Sequence, residues 1–218
     1  MADFERARTH MVDSQLRTSA VMDRRVLAQM GSVPRELFVP AARRPIAYID
    51  DIHWLGEPAG RRFMAAPATL GRMLQLAQIT DTESVLDIGA ATGYSTAVIA
   101  GLAGTVVGLE WDAALAATAQ ANLLELGITN ARIVAGDIAA VGRAQFDVIL
   151  AQGSLDSVPE AFFATLRDGG RLVALIRTGS VAVAHVFVKS GSDIAARGEF
   201  NAMMPPLFLA PSGAEFVF

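Results

Sequence analysis

The sequence predicts an α/β fold built on a mostly parallel, doubly wound sheet, and three observations predict it. Five short apolar runs recur from Ser84 onward: residues 84–89 (SVLDIG), 105–110 (TVVGLE), 131–136 (ARIVAG), 146–151 (FDVILA) and 170–177 (GRLVALIR). Helical stretches at 94–102, 113–126 and 159–166 separate them. A strand covered by helices on both faces loses the apolar–polar alternation of a half-exposed strand, so it reads as a continuous apolar run. Finally, a Gly-containing turn follows the first run and leads directly into a helix. Ligands on such sheets bind beyond the carboxyl ends of the strands.

The flanking regions differ. Helical periodicity marks residues 4–17, 24–30 and 66–78, and the link at 40–62 is rich in Pro, Gly, Asp and Trp. That link is expected to be an ordered, irregular layer against the ligand end of the sheet. After Arg177 the pattern predicts a strand near 182–189, a turn at 190–192 and an extended segment broken by Pro205 and Pro206. The pattern leaves the order of the last strands open. With no repeat, low-complexity tract or flexible linker, residues 1–218 read as one domain. It divides into an N-terminal helical extension (1–80), a ligand-binding core (81–178) and C-terminal strands (179–218).

Composition narrows the function. Of 218 residues, 52% are apolar and 18% charged, which suits a compact enzyme and excludes a disordered chain. A net charge of −4 argues against a sequence-independent nucleic-acid binder, which needs clustered cations facing phosphates. The pairs Arg24–Arg25, Arg43–Arg44 and Arg61–Arg62 read as solvated surface. The absence of cysteine removes thiolate nucleophiles, disulfides and Cys-based zinc sites. His10, His53 and His185 lack ligand spacing, so no metal is expected. His53, beside Trp54, is read first as a packing residue. Ser154, Ser157 and Ser180 lack a G-x-S-x-G setting, which excludes a hydrolase triad of that type, and residues 203–208 read as core or edge packing. Residues 1–10 are too polar for a signal peptide, and no apolar run reaches the ~18–20 residues of a membrane span. A cytoplasmic location without a membrane partner is the expectation; the oligomeric state is left open.

The chemistry concentrates at the carboxyl ends of the first three predicted strands. Gly89 lets a ligand approach backbone without a Cβ in the way, Ala90 and Ala91 continue the turn, and Gly93 allows close packing where Tyr94 starts a helix. The first N–H groups of that helix favour an anionic group. Asp87, two residues before Gly89, is placed to orient an ammonium group. Glu110, followed by Trp111, ends the next strand about twenty residues on, where a carboxylate can accept from both ribose hydroxyls. Asp137, followed by Ile138, ends the third, where it could accept from a purine amine. A nicotinamide dinucleotide is the competing ligand, but it usually needs a tighter G-x-G-x-x-G turn. Acidic groups at three strand ends suit an adenosyl ligand with an amino-acid tail, S-adenosylmethionine, better.

Over nearly its whole length the sequence also resembles the protein-L-isoaspartate (D-aspartate) O-methyltransferases. Residues 87–94 (DIGAATGY) resemble that family's E-I-G-T-G-S-G-Y. Residues 22–30 with 33–40 (VPRELFVP) resemble its N-terminal signature, and 47–50 (AYID) its A-Y-x-D. Asn130, Gly136–Asp137, Phe146–Asp147, Val158–Pro159, 169–173 (GGRLV) and Pro206–Leu207 follow in the expected order. The resemblance implies a Rossmann-like methyltransferase fold with S-adenosylmethionine as cofactor and S-adenosylhomocysteine as product. It implies a methyl acceptor that is the carboxylate of a damaged aspartyl residue in a protein, and a role in protein repair. The family's G-Q-T-I-S-Q-P becomes 61–67 (RRFMAAP), so Phe63 and Ala65 replace hydroxyl side chains, and Thr-Ala-Ala after the fourth strand becomes 152–154 (QGS). Asp50, Trp54, Phe63, Ala65 and Gln152 are the expected pocket wall. Those replacements motivate the alternatives of a different small-molecule acceptor or of a catalytically silent ligand-binding protein. No catalytic residue is assigned, because a carboxylate of pKa about 4 is ionised at neutral pH and needs no general base.

Overall fold

The computed structural model describes residues 3–55, 62–179 and 181–208. Arg61 and Ser180, singled out above, lie outside the described residues. Strands β3 (Ser84–Ile88), β4 (Thr105–Glu110), β5 (Ala131–Ala135), β6 (Phe146–Leu155), β7 (Leu166–Thr178), β8 (Val181–Ser190) and β9 (Asp193–Ala202) form one sheet in the order β5-β4-β3-β6-β7-β8-β9. The first five in that order pair in parallel, and β8 and β9 close one edge as antiparallel hairpins. The doubly wound, mostly parallel expectation is met, and the order of the last strands is supplied. Helices α4 (Tyr94–Ala100) and α5 (Ala113–Glu125) connect strands on one side of β3, and the short α6 (Glu160–Ala164) connects β6 to β7.

Successive strand residues feed opposite faces, as the two-residue period requires. Val85 of β3 and Val148 and Leu150 of β6 join the core under the N-terminal helices. Leu86, Ile88, Ile149 and Ala151 join a second core with Phe162 and Leu207. Both faces are dry at β3, β4 and β6, which explains their unbroken apolar runs, whereas edge strand β5 is only part-buried.

The N-terminal layer is α1 (Phe4–Met11), α2 (Arg24–Ser32) and α3 (Pro67–Ala77). Asp23 caps α2 by accepting from Arg25 N–H at 2.8 Å, and Pro67 opens α3, where a missing N–H costs nothing. The predicted single helix over 4–17 passes instead into a π-helical turn, Val12–Leu16. The irregular link contains a 3₁₀ segment (Ala41–Ile46) and strand β1 (His53–Leu55), which pairs antiparallel with β2 (Arg62–Met64). Other boundaries also differ from expectation, among them the start of β7 at Leu166 where the sequence places it at 170. The fourth strand runs to Leu155 and takes in Gln152–Ser154, because Ser154 pairs with Leu175 beyond a register shift. The helix expected to reach 166 stops at Ala164, since fully buried Leu166 already pairs with Phe146. Among the described residues no helix is long and apolar enough to cross a membrane.

Candidate functional site

The turn after β3 is tightly determined. Gly89 takes φ +87° and donates its N–H to Leu109 O at 2.8 Å. Ala91 takes φ +51°, a left-handed conformation that costs a residue with a Cβ roughly 1–2 kcal/mol. Its N–H donates to Glu110 Oε2 at 2.7 Å, which holds it there. Gly93 caps α4, where an added Cβ would sit 3.1 Å from the Ala119 Cβ of α5. Thr92 donates its hydroxyl to Phe38 O at 2.6 Å, and Asn122 donates to Thr92 O at 2.9 Å, locking the turn to the N-terminal layer and to α5. Tyr94 is buried edge-on against Phe38.

Glu110 is fully buried at the end of β4, and its carboxylate is saturated by the protein. It accepts from Ala91 N–H and from Asp112 N–H at 3.1 Å. It also accepts from Arg62, through Nε at 3.0 Å and Nη2 at 2.8 Å, a bidentate, charge-assisted contact. The Arg62 guanidinium lies 4.0 Å above the Trp111 ring, which also stands 5.1 Å from the Phe208 ring between centroids. A Cβ on Gly89 would stand 2.9 Å from Arg62 Nη2 and 2.7 Å from Leu207 Cδ1. The glycine therefore does leave its backbone approachable, and Arg62 and Leu207 are what approach it.

The other expected cofactor residues divide. Asp87 is buried, and Ser95, Thr96 and Gln152 donate to its two oxygens at 2.6, 2.6 and 2.7 Å. Burial raises its carboxyl pKa, against those three hydrogen bonds. It is a structural hub of the turn rather than a carboxylate open to an ammonium group. Asp137 is exposed and caps the 3₁₀ turn Ile138–Val141 by accepting from Ala139 N–H at 2.9 Å. Ile138 and Trp111 are half-buried along the same edge.

Of the expected pocket wall, Trp54 lies on β1 and Phe63 on β2. Trp54 pairs with Phe63 across the hairpin, their rings 5.8 Å apart and edge-to-face. Buried Phe63 and Ala65 line a cavity of about 10 Å³ with Gly89, Ala91, Tyr94 and Gln152. Asp50 is exposed and accepts from Ala68 N–H at 2.9 Å, capping α3 beside this wall. Beneath it lies fully buried Arg35, which donates to Ala47 O at 2.8 Å and Ala65 O at 2.6 Å. His53 is also fully buried, and neither ring nitrogen has a partner among the described residues. Burial, then the Arg35 charge, pull its pKa down to about 4. Among the described residues no cluster of side chains could hold a metal ion.

Arg62 overturns a sequence expectation: its Arg–Arg pair reads as solvated surface, yet it is 3% exposed. One signal was available, the apolar run 63–68 that follows it and carries β2 inward. Arg35, Thr92 and Asn122 were also missed; their contacts are long-range, with no local pattern to mark them.

The family model for protein-L-isoaspartate (D-aspartate) O-methyltransferase matches residues 6–207. The chain belongs to this family. The protein-L-isoaspartate O-methyltransferase of Koribacter versatilis is 39% identical over 196 residues, covering 89% of this chain and 87% of that protein. Protein-L-isoaspartate O-methyltransferase 1 of Syntrophobacter fumaroxidans is 34% identical, covering 88% and 89%. A Plasmodium falciparum protein solved in complex with S-adenosyl-L-homocysteine superposes with a TM-score of 0.78 at 21% identity, covering 92% of this chain and 97% of that one. A solved protein-L-isoaspartate O-methyltransferase superposes with a TM-score of 0.77 at 24% identity, and this chain spans 65% of that one. At those identities the structures establish the fold, and the family assignment rests on the sequence matches.

Proposed function

We propose that this chain is an S-adenosylmethionine-dependent O-methyltransferase that esterifies the free carboxylate of isoaspartyl residues in proteins. Family membership over residues 6–207 carries this reading. The strand ends support the cofactor. Gly89 carries no Cβ, so its backbone is open once Arg62 moves, Gly93 starts α4, and Glu110 is a buried carboxylate at the position suited to a ribose. When bound, the cofactor supplies an electrophilic methyl on a sulfonium. Glu110 would hold the ribose hydroxyls, Trp111 and Ile138 would flank the base, Asp137 would meet its amine, and the Gly89–Gly93 turn would lie along the amino-acid end.

The protein's own task is then alignment and exclusion of water. The acceptor carboxylate is already ionised, so no side chain needs to remove a proton. Positioning alone can supply about 7–11 kcal/mol of a barrier when the reacting atoms are well aligned. Phe63 and Ala65, with Trp54 packed on Phe63, would give the acceptor side an apolar wall beside Gln152, which Asp87 fixes. We place this work in the cytoplasm, where a chain without cysteine loses nothing to reducing conditions.

The test is incubation with an isoaspartyl peptide, its aspartyl counterpart and methyl-labelled cofactor. Base-labile label on the isoaspartyl peptide alone is the expected result. Cofactor binding without any methyl ester would reject the acceptor, and label on a non-carboxyl acceptor would replace it.

A further inference from the structure

We propose that Arg62 is a built-in competitor for the cofactor's place on Glu110, so that adenosyl ligands bind by displacing it. The inference rests on the cofactor reading given above and specifies how that site is controlled. Three contacts carry it. Nε and Nη2 of Arg62 take both oxygens of Glu110, whose remaining acceptor directions are filled by Ala91 and Asp112 N–H. The guanidinium covers Trp111 at 4.0 Å, which closes the base side. Nη2 also fills the space left by the missing Cβ of Gly89, with Leu207 beside it.

A ribose that hydrogen-bonds Glu110 and this cation cannot occupy the carboxylate together, because no acceptor direction is left. The two are therefore in exchange. Displacement also has an electrostatic consequence. Arg62 is 3% exposed and Glu110 fully buried, and a cation removed from such a pair must reach solvent or another anion. Ligand binding and movement of Arg62 are thus one coupled step. The apparent dissociation constant exceeds the intrinsic one by the inverse of the fraction of molecules in which Arg62 has left.

The experiment is calorimetric titration of the full-length wild type, R62Q and R62K with S-adenosylhomocysteine, with thermal melts of each protein with and without ligand. Glutamine is neutral and too short to cover Trp111 or reach Glu110 as Nη2 does; lysine keeps the charge but cannot make the bidentate contact. R62Q should bind at least about tenfold tighter than wild type, as expected when the competent fraction is below a tenth, and R62K should fall between. Unliganded R62Q should melt below wild type and gain more from ligand. If R62Q does not fold, tighter binding by R62K decides in favour and equal or weaker binding against. Equal or weaker binding by folded R62Q overturns the competition alone. No binding by any of the three overturns it together with the cofactor reading.

Discussion

The turn after β3 and the β2 strand lie against each other and obey opposite rules. The turn at 87–94 keeps the family's sequence pattern, with Gly89, Ala91 and Gly93 all at positive φ. The β2 strand departs from the family pattern, and its first residue projects a guanidinium onto Glu110, the β4 carboxylate that holds the turn through Ala91 N–H. A site can thus retain its frame while a neighbouring segment changes what the frame holds. Frame and occupant have to be tested separately.

The largest effect should come from breaking the pair between them. E110Q leaves the buried Arg62 charge without its partner, and loss of one member of a buried ion pair costs about 3–5 kcal/mol. Urea denaturation of E110Q against an R62M/E110L double variant checks this. The double variant should recover most of the loss, and equal destabilisation of both would show that the unpaired Arg62 charge is not its cause.

Next comes His53, behind the β1–β2 wall. Its folded pKa of about 4 lies below the unfolded value near 6.5, so the unfolded chain binds the proton first as pH falls. Its contribution is complete above about pH 6.5 and declines toward pH 4, by about 3 kcal/mol at most, from 1.36 kcal/mol per pKa unit. Stability curves of wild type and H53N should diverge only within that window; parallel curves would remove His53 as the cause.

The frame itself is probed by G89A and A91G. An alanine at φ +87°, with its Cβ 2.7 Å from Leu207 Cδ1, should cost about 2–4 kcal/mol from backbone strain and overpacking. A91G removes a Cβ from a left-handed position and should stabilise by about 1 kcal/mol or less, offset by the entropy of glycine. Thermal melts of the two should move in opposite directions.

The contrast also shows what sequence could reveal. The central strands were legible because strands dry on both faces write themselves as apolar runs; Gly89 and Glu110 stood out because one follows a strand and the other ends one, and Gly93 because it opens a helix. Asp87 was legible as a carboxylate near a strand end, but its hydrogen bonds were not, because three donors from α4 and β6 converge on it only in space. Arg62 was misread because charge predicts exposure unless a partner is known, and its partner lies 48 residues away. The link at 40–62 hid β1 because a three-residue strand carries too little periodicity to be seen.

A crystal structure of the wild-type protein with S-adenosylhomocysteine tests the central claim most directly. The ribose hydroxyls are expected on Glu110, with Arg62 withdrawn from that carboxylate and from the Trp111 ring. A ligand bound elsewhere with the Arg62–Glu110 pair intact, or bound on Glu110 with Arg62 still in both contacts, would contradict it.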